Sequence, residues 1–116
     1  MKFTVEDFRR FEKQIILKKI SISGQKQIKN SKVLIIGMGG LGCPLLTYLA
    51  SSGVCNIGIV DHDRVELSNL SRQIIFNLSD IGKFNSTSYN SYLLFVLITN
   101  AKILATNNGM LRETVH

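Results

Sequence analysis

The residues with chemical potential gather in the middle of the chain. Gly37, Gly39, Gly40 and Gly42 form a G-x-G-G-x-G pattern within "VLIIGMGGLGC". Asp61 stands twenty-four residues after Gly37, and Asp63, Asn69 and Arg72 follow it. Glycines at this spacing permit a tight turn and let backbone amides approach a phosphate. A helix starting there adds about half a unit of positive charge at the same point. A carboxylate at Asp61 is placed to accept a hydrogen bond from a ribose hydroxyl. These features by themselves fit NAD, FAD or ATP alike, and the glycines alone could do no more than make a tight crossover.

The stretch "DHDRVELSNLSRQIIF" favours ATP. A guanidinium at Arg72 can neutralise charge developing on a polyphosphate, and one of the two acids, Asp61 or Asp63, can hold a magnesium ion. A dinucleotide oxidoreductase has no evident need for Asn69 and Arg72 so soon after its second strand. The plain alternative for Arg72 is a surface arginine bridging Asp61 or Asp63.

These residues need elements to hold them. Thr4 and Asp7 read as a capping box that starts a first helix, with Val5, Phe8, Phe11, Ile15 and Ile16 spaced onto one face. A more polar helix over Ser23 to Asn30, capped by Ser23, follows. Strand one spans Lys32 to Ile36. Pro44 then sits in the first turn of a helix that stops near Gly53, and strand two spans Asn56 to Val60. The unit strand, glycine turn, helix, strand implies a parallel pair in an α/β fold, joined by a right-handed crossover. Late in the chain, "LLFVLIT" reads as a buried strand or short helix, and "NAKILATNNGMLRETVH" as a weak helix.

Composition narrows the class. The chain has 116 residues, 45% hydrophobic and 19% charged, which suits one globular domain. Its apolar run Leu93 to Ile98 is far too short for a bilayer, and the N-terminus lacks the pattern of a signal peptide, so no membrane role and a cytoplasmic address are expected. Cys43 and Cys55 form no metal-ligand pattern and read as small buried thiols. The formal net charge of +6 comes without interleaved aromatics or a nucleic-acid motif. That points to a solvated basic face, not to DNA or RNA.

The segments "RFEKQIIL", "SKVLIIGMGGLG", "LASSGV" and "DHDRVELSNLSRQIIF", followed by "DIGK", resemble the ThiF/MoeB/HesA family, relatives of ubiquitin-activating enzymes. The resemblance covers Phe8 to Phe84 in order. It implies a Rossmann-like, three-layer nucleotide-binding fold with N-terminal helices before a parallel sheet, incomplete relative to the family. It further implies ATP and Mg2+ as cofactors. The implied activity is adenylation of the C-terminal Gly-Gly of a ubiquitin-like sulfur-carrier protein, in thiamine or molybdopterin sulfur transfer. Position by position, the resemblance makes Gly40 part of the phosphate turn and Asp61 the ribose ligand. Ser68, Asn69, Leu70, Ser71 and Arg72 fill the nucleotide-binding segment, with Ser71 where glutamine is common. Lys13 takes the place of an arginine that reaches the neighbouring subunit's phosphates, which implies a homodimer through the N-terminal helices.

The departures from the family lie downstream. Asn85 stands where the family has a lysine on the reacting phosphates, and Lys83 comes two residues too early, with only a partial substitute role open to it. The family's later magnesium-binding aspartate, zinc cysteines and thiol nucleophile have no counterpart. The segment from residue 85 onward carries only Lys102, Arg112 and Glu113 as charged residues. The expected organisation is therefore a nucleotide-binding part at 1–84 and an atypical tail at 85–116, from a frameshift or truncation. An adenylyltransferase lineage with weak or no activity is expected. The competing readings are an NAD(P)- or FAD-binding oxidoreductase module and a non-catalytic nucleotide-binding remnant.

Overall fold

The computed structural model describes residues 2–85 with their side chains, and the backbone of two strands, Lys102–Thr106 and Arg112–Thr114. The order is α1 (Val5–Arg10), α2 (Glu12–Ile15), α3 (Ser21–Asn30), β1 (Lys32–Ile36), α4 (Gly42–Ser52), β2 (Asn56–Val60), β3 (Lys102–Thr106) and β4 (Arg112–Thr114). The α/β class read from the sequence is what the chain adopts, with N-terminal helices preceding a sheet whose first three strands run parallel.

β1 and β2 are rich in isoleucine and valine, which suit a pleated surface. They pair in parallel with Lys32 opposite Asn56 and Ile36 opposite Val60. Ile57 and Ile59 of β2 point into the core and alternate with half-buried neighbours. Cys43, Leu46 and Ala50 of α4 recur every three or four residues and are buried in the same core cluster. Gly53 ends α4 at φ 102°, a left-handed conformation that costs glycine little.

Gly53 has a second constraint. A Cβ there would lie 2.7 Å from Gln25 Nε2 and 2.8 Å from the Phe11 ring. The N-terminal helices dock at this point: Gln25 donates to the Ser52 carbonyl at 2.9 Å, and Gln14 donates to it at 3.5 Å. A carbonyl orphaned by the end of α4 thus gains partners from α2 and α3.

The Thr4–Asp7 capping box forms as expected. The single amphipathic face does not, because the helix breaks at Phe11. Val5, Phe8 and Ile16 are exposed while Phe11 is buried. The polar helix expected from Ser23 is α3, which begins at Ser21 and has no side-chain cap at its start. The late segment read as a weak helix contains two strands instead. β3 lies parallel to β2, and β4 lies antiparallel to β3. Strand pairing at the sheet edge outweighs the weak helical periodicity there. "LLFVLIT" lies outside the described residues.

Asp7 also has a partner that sequence spacing did not suggest. Lys29 Nζ donates to Asp7 Oδ2 at 2.5 Å and to the Lys2 carbonyl at 3.0 Å, with side chains 4% and 12% exposed for Lys29 and Asp7. Burial alone would raise the Asp7 pKa. The Lys29 ammonium and the Thr4 donors outweigh it and hold the carboxyl below its ordinary 3.8. A depressed folded pKa stabilises above the ordinary value and is lost as pH falls through the folded one. Urea denaturation from pH 7 down to pH 2 is therefore expected to show an acid-side loss of stability below pH 3.8. Asp7→Asn should flatten that limb, and identical limbs for the two proteins would contradict the assignment.

Candidate nucleotide-binding site

The four glycines of the turn have two different jobs. Gly37 adopts φ 92° and donates its N–H to the Val60 carbonyl at 2.7 Å, continuing the β1–β2 ladder. A Cβ on Gly42 would stand 1.9 Å from the Gly37 carbonyl oxygen. These two glycines make the turn itself. Gly39 faces open space, with nothing within 4 Å of an added Cβ. Gly40 lies under the aliphatic stem of Arg72, whose Cδ is 3.4 Å from that position. The amides of Gly39, Gly40, Leu41 and Gly42 donate to no backbone carbonyl of the described residues. They open α4, where the helix dipole favours an anion.

Asp61 leaves β2 and turns back into the glycine turn. It is 7% exposed. Its Oδ2 accepts the Met38 N–H at 2.5 Å, and its Oδ1 accepts the Asp63 N–H at 2.7 Å. The chain then folds over through a short antiparallel contact: Val65 N–H donates to the Lys83 carbonyl, and Gly82 N–H to Val65. Arg64 stacks over the Phe84 ring at 3.9 Å and donates to the Gly82 carbonyl at 2.6 Å. This contact carries Asn85 to Asp61, where Nδ2 donates to Oδ2 at 3.4 Å.

The third wall is the 3-10 turn Leu67–Asn69 and the residues after it. Arg72 Nη2 donates to Asn69 Oδ1 at 2.5 Å, and Nη1 to the Ser68 carbonyl at 3.5 Å. Arg72 makes no ion pair with a described residue, so it does not bridge Asp61 or Asp63. Leu70 packs against the core cluster and anchors this segment, while Ser68 and Ser71 are exposed.

The fold thus gathers Gly37 to Gly42, Asp61, Asp63, Asn69, Arg72 and Asn85 around one turn. It does not tie in the two lysines. Lys83 Nζ lies 3.5 Å from Asp80 Oδ1, and Lys13 is exposed on α2 with no ion pair to a described residue. Asp61, His62 and Asp63 bring their ligand atoms within 4.8 Å of one another. His62 lies 3.4 Å from Asp63, and both are exposed. The Met38 amide as partner of Asp61 was not foreseen, since a backbone donor leaves no mark in residue type.

Cys43 lies beneath this turn, with Sγ 3.3 Å from the Met38 carbonyl oxygen. Burial pushes its thiol up to about 11, and the Asp61 charge adds to the effect. Burial also raises Cys55. Both are free thiols, as expected from the sequence. At pH 8 neither should react with an aromatic disulfide reagent in the native protein, and both should react in denaturant. Rapid titration of a thiol in the folded chain would contradict this placement.

Strand, glycine turn, helix and a further parallel strand define an α/β protein of the Rossmann-like kind. More narrowly, the chain belongs to the ThiF family, whose profile matches residues 11–97. That match continues past the boundary at 84 where the sequence reading ended the resemblance. The chain is 48% identical over 80 residues to the probable molybdopterin-synthase adenylyltransferase of Porphyra purpurea, covering 69% of this chain and 21% of that protein. It is 44% identical over 92 residues to the adenylyltransferase and sulfurtransferase MOCS3 of Anopheles gambiae, covering 79% of this chain and 21% of that protein. Among solved structures, E. coli MccB with ATP is similar at a TM-score of 0.62 and 35% identity, over 74% of this chain and 26% of that one. The chain therefore spans about a fifth of the length of the curated relatives it matches. No helix of the described residues is long and apolar enough to cross a membrane.

Proposed function

We propose that this chain binds ATP over the turn from Gly37 to Gly42 and derives from adenylyltransferases that activate the C-terminal Gly-Gly of a ubiquitin-like sulfur carrier. The observation that carries this reading is Arg72 packed on Gly40, with its guanidinium tied to Asn69 beside the amides that open α4. The room at Gly39 and those unengaged amides fit a phosphate. In this reading Asp61 holds the ribose, and Ser68, Asn69, Leu70 and Ser71 form the segment that carries Arg72. The relative named for molybdopterin synthase supports the molybdopterin pathway, with thiamine sulfur transfer as the other member of the class.

ATP bound here would supply an α-phosphorus open to attack by a carrier carboxylate, giving an acyl-adenylate and pyrophosphate. Arg72 would neutralise the charge that develops on the phosphates. Both Asp61 oxygens are engaged by N–H donors, so Asp61 does not fit as a magnesium ligand. Asp63 is the exposed carboxylate that could meet a magnesium ion carried on the triphosphate. Lys13 would act on the phosphates of a second copy, and Lys83 would have to leave Asp80 to help. Exposed Val5 and Phe8 support a homodimer through α1, checked by sedimentation. The buried free thiols support a reducing, cytoplasmic location.

Thermal-shift titration separates this reading from an oxidoreductase module. ATP-Mg and AMP should raise Tm, and stabilisation by NAD alone would overturn it. Gly39→Ala should leave the unliganded Tm unchanged and weaken ATP binding about tenfold, roughly one charge-assisted hydrogen bond. Catalysis is expected to be poor. Asn85 offers no charge to the phosphates, and a missing contact of that type costs on the order of a hundredfold or more. ATP–pyrophosphate exchange with a Gly-Gly-ended carrier measures this, and robust exchange would show that another group restores the chemistry. The family match runs on to residue 97, so a frameshift is proposed only beyond it, and the encoding DNA in its other frames tests that.

A further inference from the structure

Asn85 is a buried residue at the site whose hydrogen bonding is incomplete. It is 2% exposed, its N–H donates to the Asp63 carbonyl at 2.9 Å, and its Nδ2 donates to Asp61. Its Oδ1 is buried and has no partner among the described residues. A buried acceptor without a donor costs about 1–3 kcal/mol, so this position suits a ligand that brings a donor. Phosphate oxygens at neutral pH only accept, whereas ribose hydroxyls donate. Asp61, one hydrogen bond away, already accepts from Met38, Asp63 and Asn85, and its Oδ1, with a single donor, has room for one more.

Charge points the same way. Arg72 is the described cation that lies against the turn, while Asp61 and Asp63 stand beside it. Lys83 lies 3.5 Å from Asp80 with no contact to the turn among the described residues, and the neutral Asn85 adds nothing positive. One guanidinium and a helix N-terminus worth about half a charge can offset roughly one phosphate group. The further phosphates of a triphosphate meet carboxylates, and the magnesium ion they carry offsets that repulsion without adding a cationic contact from the described residues.

We propose that this site draws its affinity from the nucleoside end: Asp61 and Asn85 take the ribose hydroxyls, the turn takes the first phosphate, and AMP binds as tightly as ATP. The proposal rests on the nucleotide-binding reading above and adds which end of the nucleotide carries the binding.

Calorimetric titration of the full chain with AMP and with ATP-Mg, at one ionic strength, tests it. The two Kd values should agree within about threefold, well under the tenfold that 1.4 kcal/mol represents. ATP-Mg binding tenfold or more tighter than AMP would overturn the proposal and leave the nucleotide reading standing. Failure of both ligands to bind would overturn both. In a second arm, 2′,3′-dideoxy-AMP should bind about tenfold or more weaker than AMP, the worth of a lost hydrogen bond to a charged group. Equal binding would remove the ribose assignment. Asn85→Lys should shift the preference toward ATP-Mg about tenfold through one charge-assisted contact. An unchanged ratio in a folded variant would remove Asn85 from the explanation.

Discussion

Lys29→Met is expected to destabilise the fold by about 3–5 kcal/mol, the usual cost of leaving one member of a buried ion pair unpaired. Lys29 sits in α3 with its side chain 4% exposed, and its ammonium meets the Asp7 carboxylate and the Lys2 carbonyl. Methionine keeps the apolar stem and removes the charge, so Asp7 remains 12% exposed without a cation. The N-terminal segment and α1 lose the group that holds them to α3. Total stability of a domain this size lies at about 5–15 kcal/mol, so the variant should approach unfolding at ordinary temperature. Urea midpoints provide the measurement. Adding Asp7→Asn to the variant should recover much of the loss, since the uncompensated charge is then gone. A single variant within 1 kcal/mol of wild type would mean that water already serves Asp7.

Gly42→Ala is expected to cost about 3 kcal/mol or more, at the upper end of overpacking. The added Cβ would stand 1.9 Å from the Gly37 oxygen and 2.9 Å from its carbonyl carbon. Both obstacles are backbone, so relief requires opening the turn and breaking the Gly37–Val60 hydrogen bond at the end of the sheet. The same substitution at Gly39 meets nothing within 4 Å. The contrast between the two alanines separates what the turn needs to fold from what it needs to bind. Equal stability of both variants, read as Tm without nucleotide, would refute the division of labour among the glycines.

The sequence by itself determined the local plan. β-branched residues set β1 and β2 to the residue, Thr4 and Asp7 set the first cap, and Gly53 set the end of α4. Each depends on interactions spanning a few positions, which residue types record. The family was legible too, because glycine spacing and the segment through Arg72 are written contiguously. Tertiary structure alone decided the rest. It broke the first helix at Phe11, where burial under Gly53 outweighs helical periodicity. It paired Lys29 with Asp7 and directed Asp61 to the Met38 amide. It laid Arg72 over Gly40 and Asn85 beside Asp61, and added β3 and β4 where helix was expected. Apart from the local pairing of β4 with β3, these contacts join positions more than twenty residues apart. Their energies come from desolvation and close approach, quantities that arise only once the chain has packed.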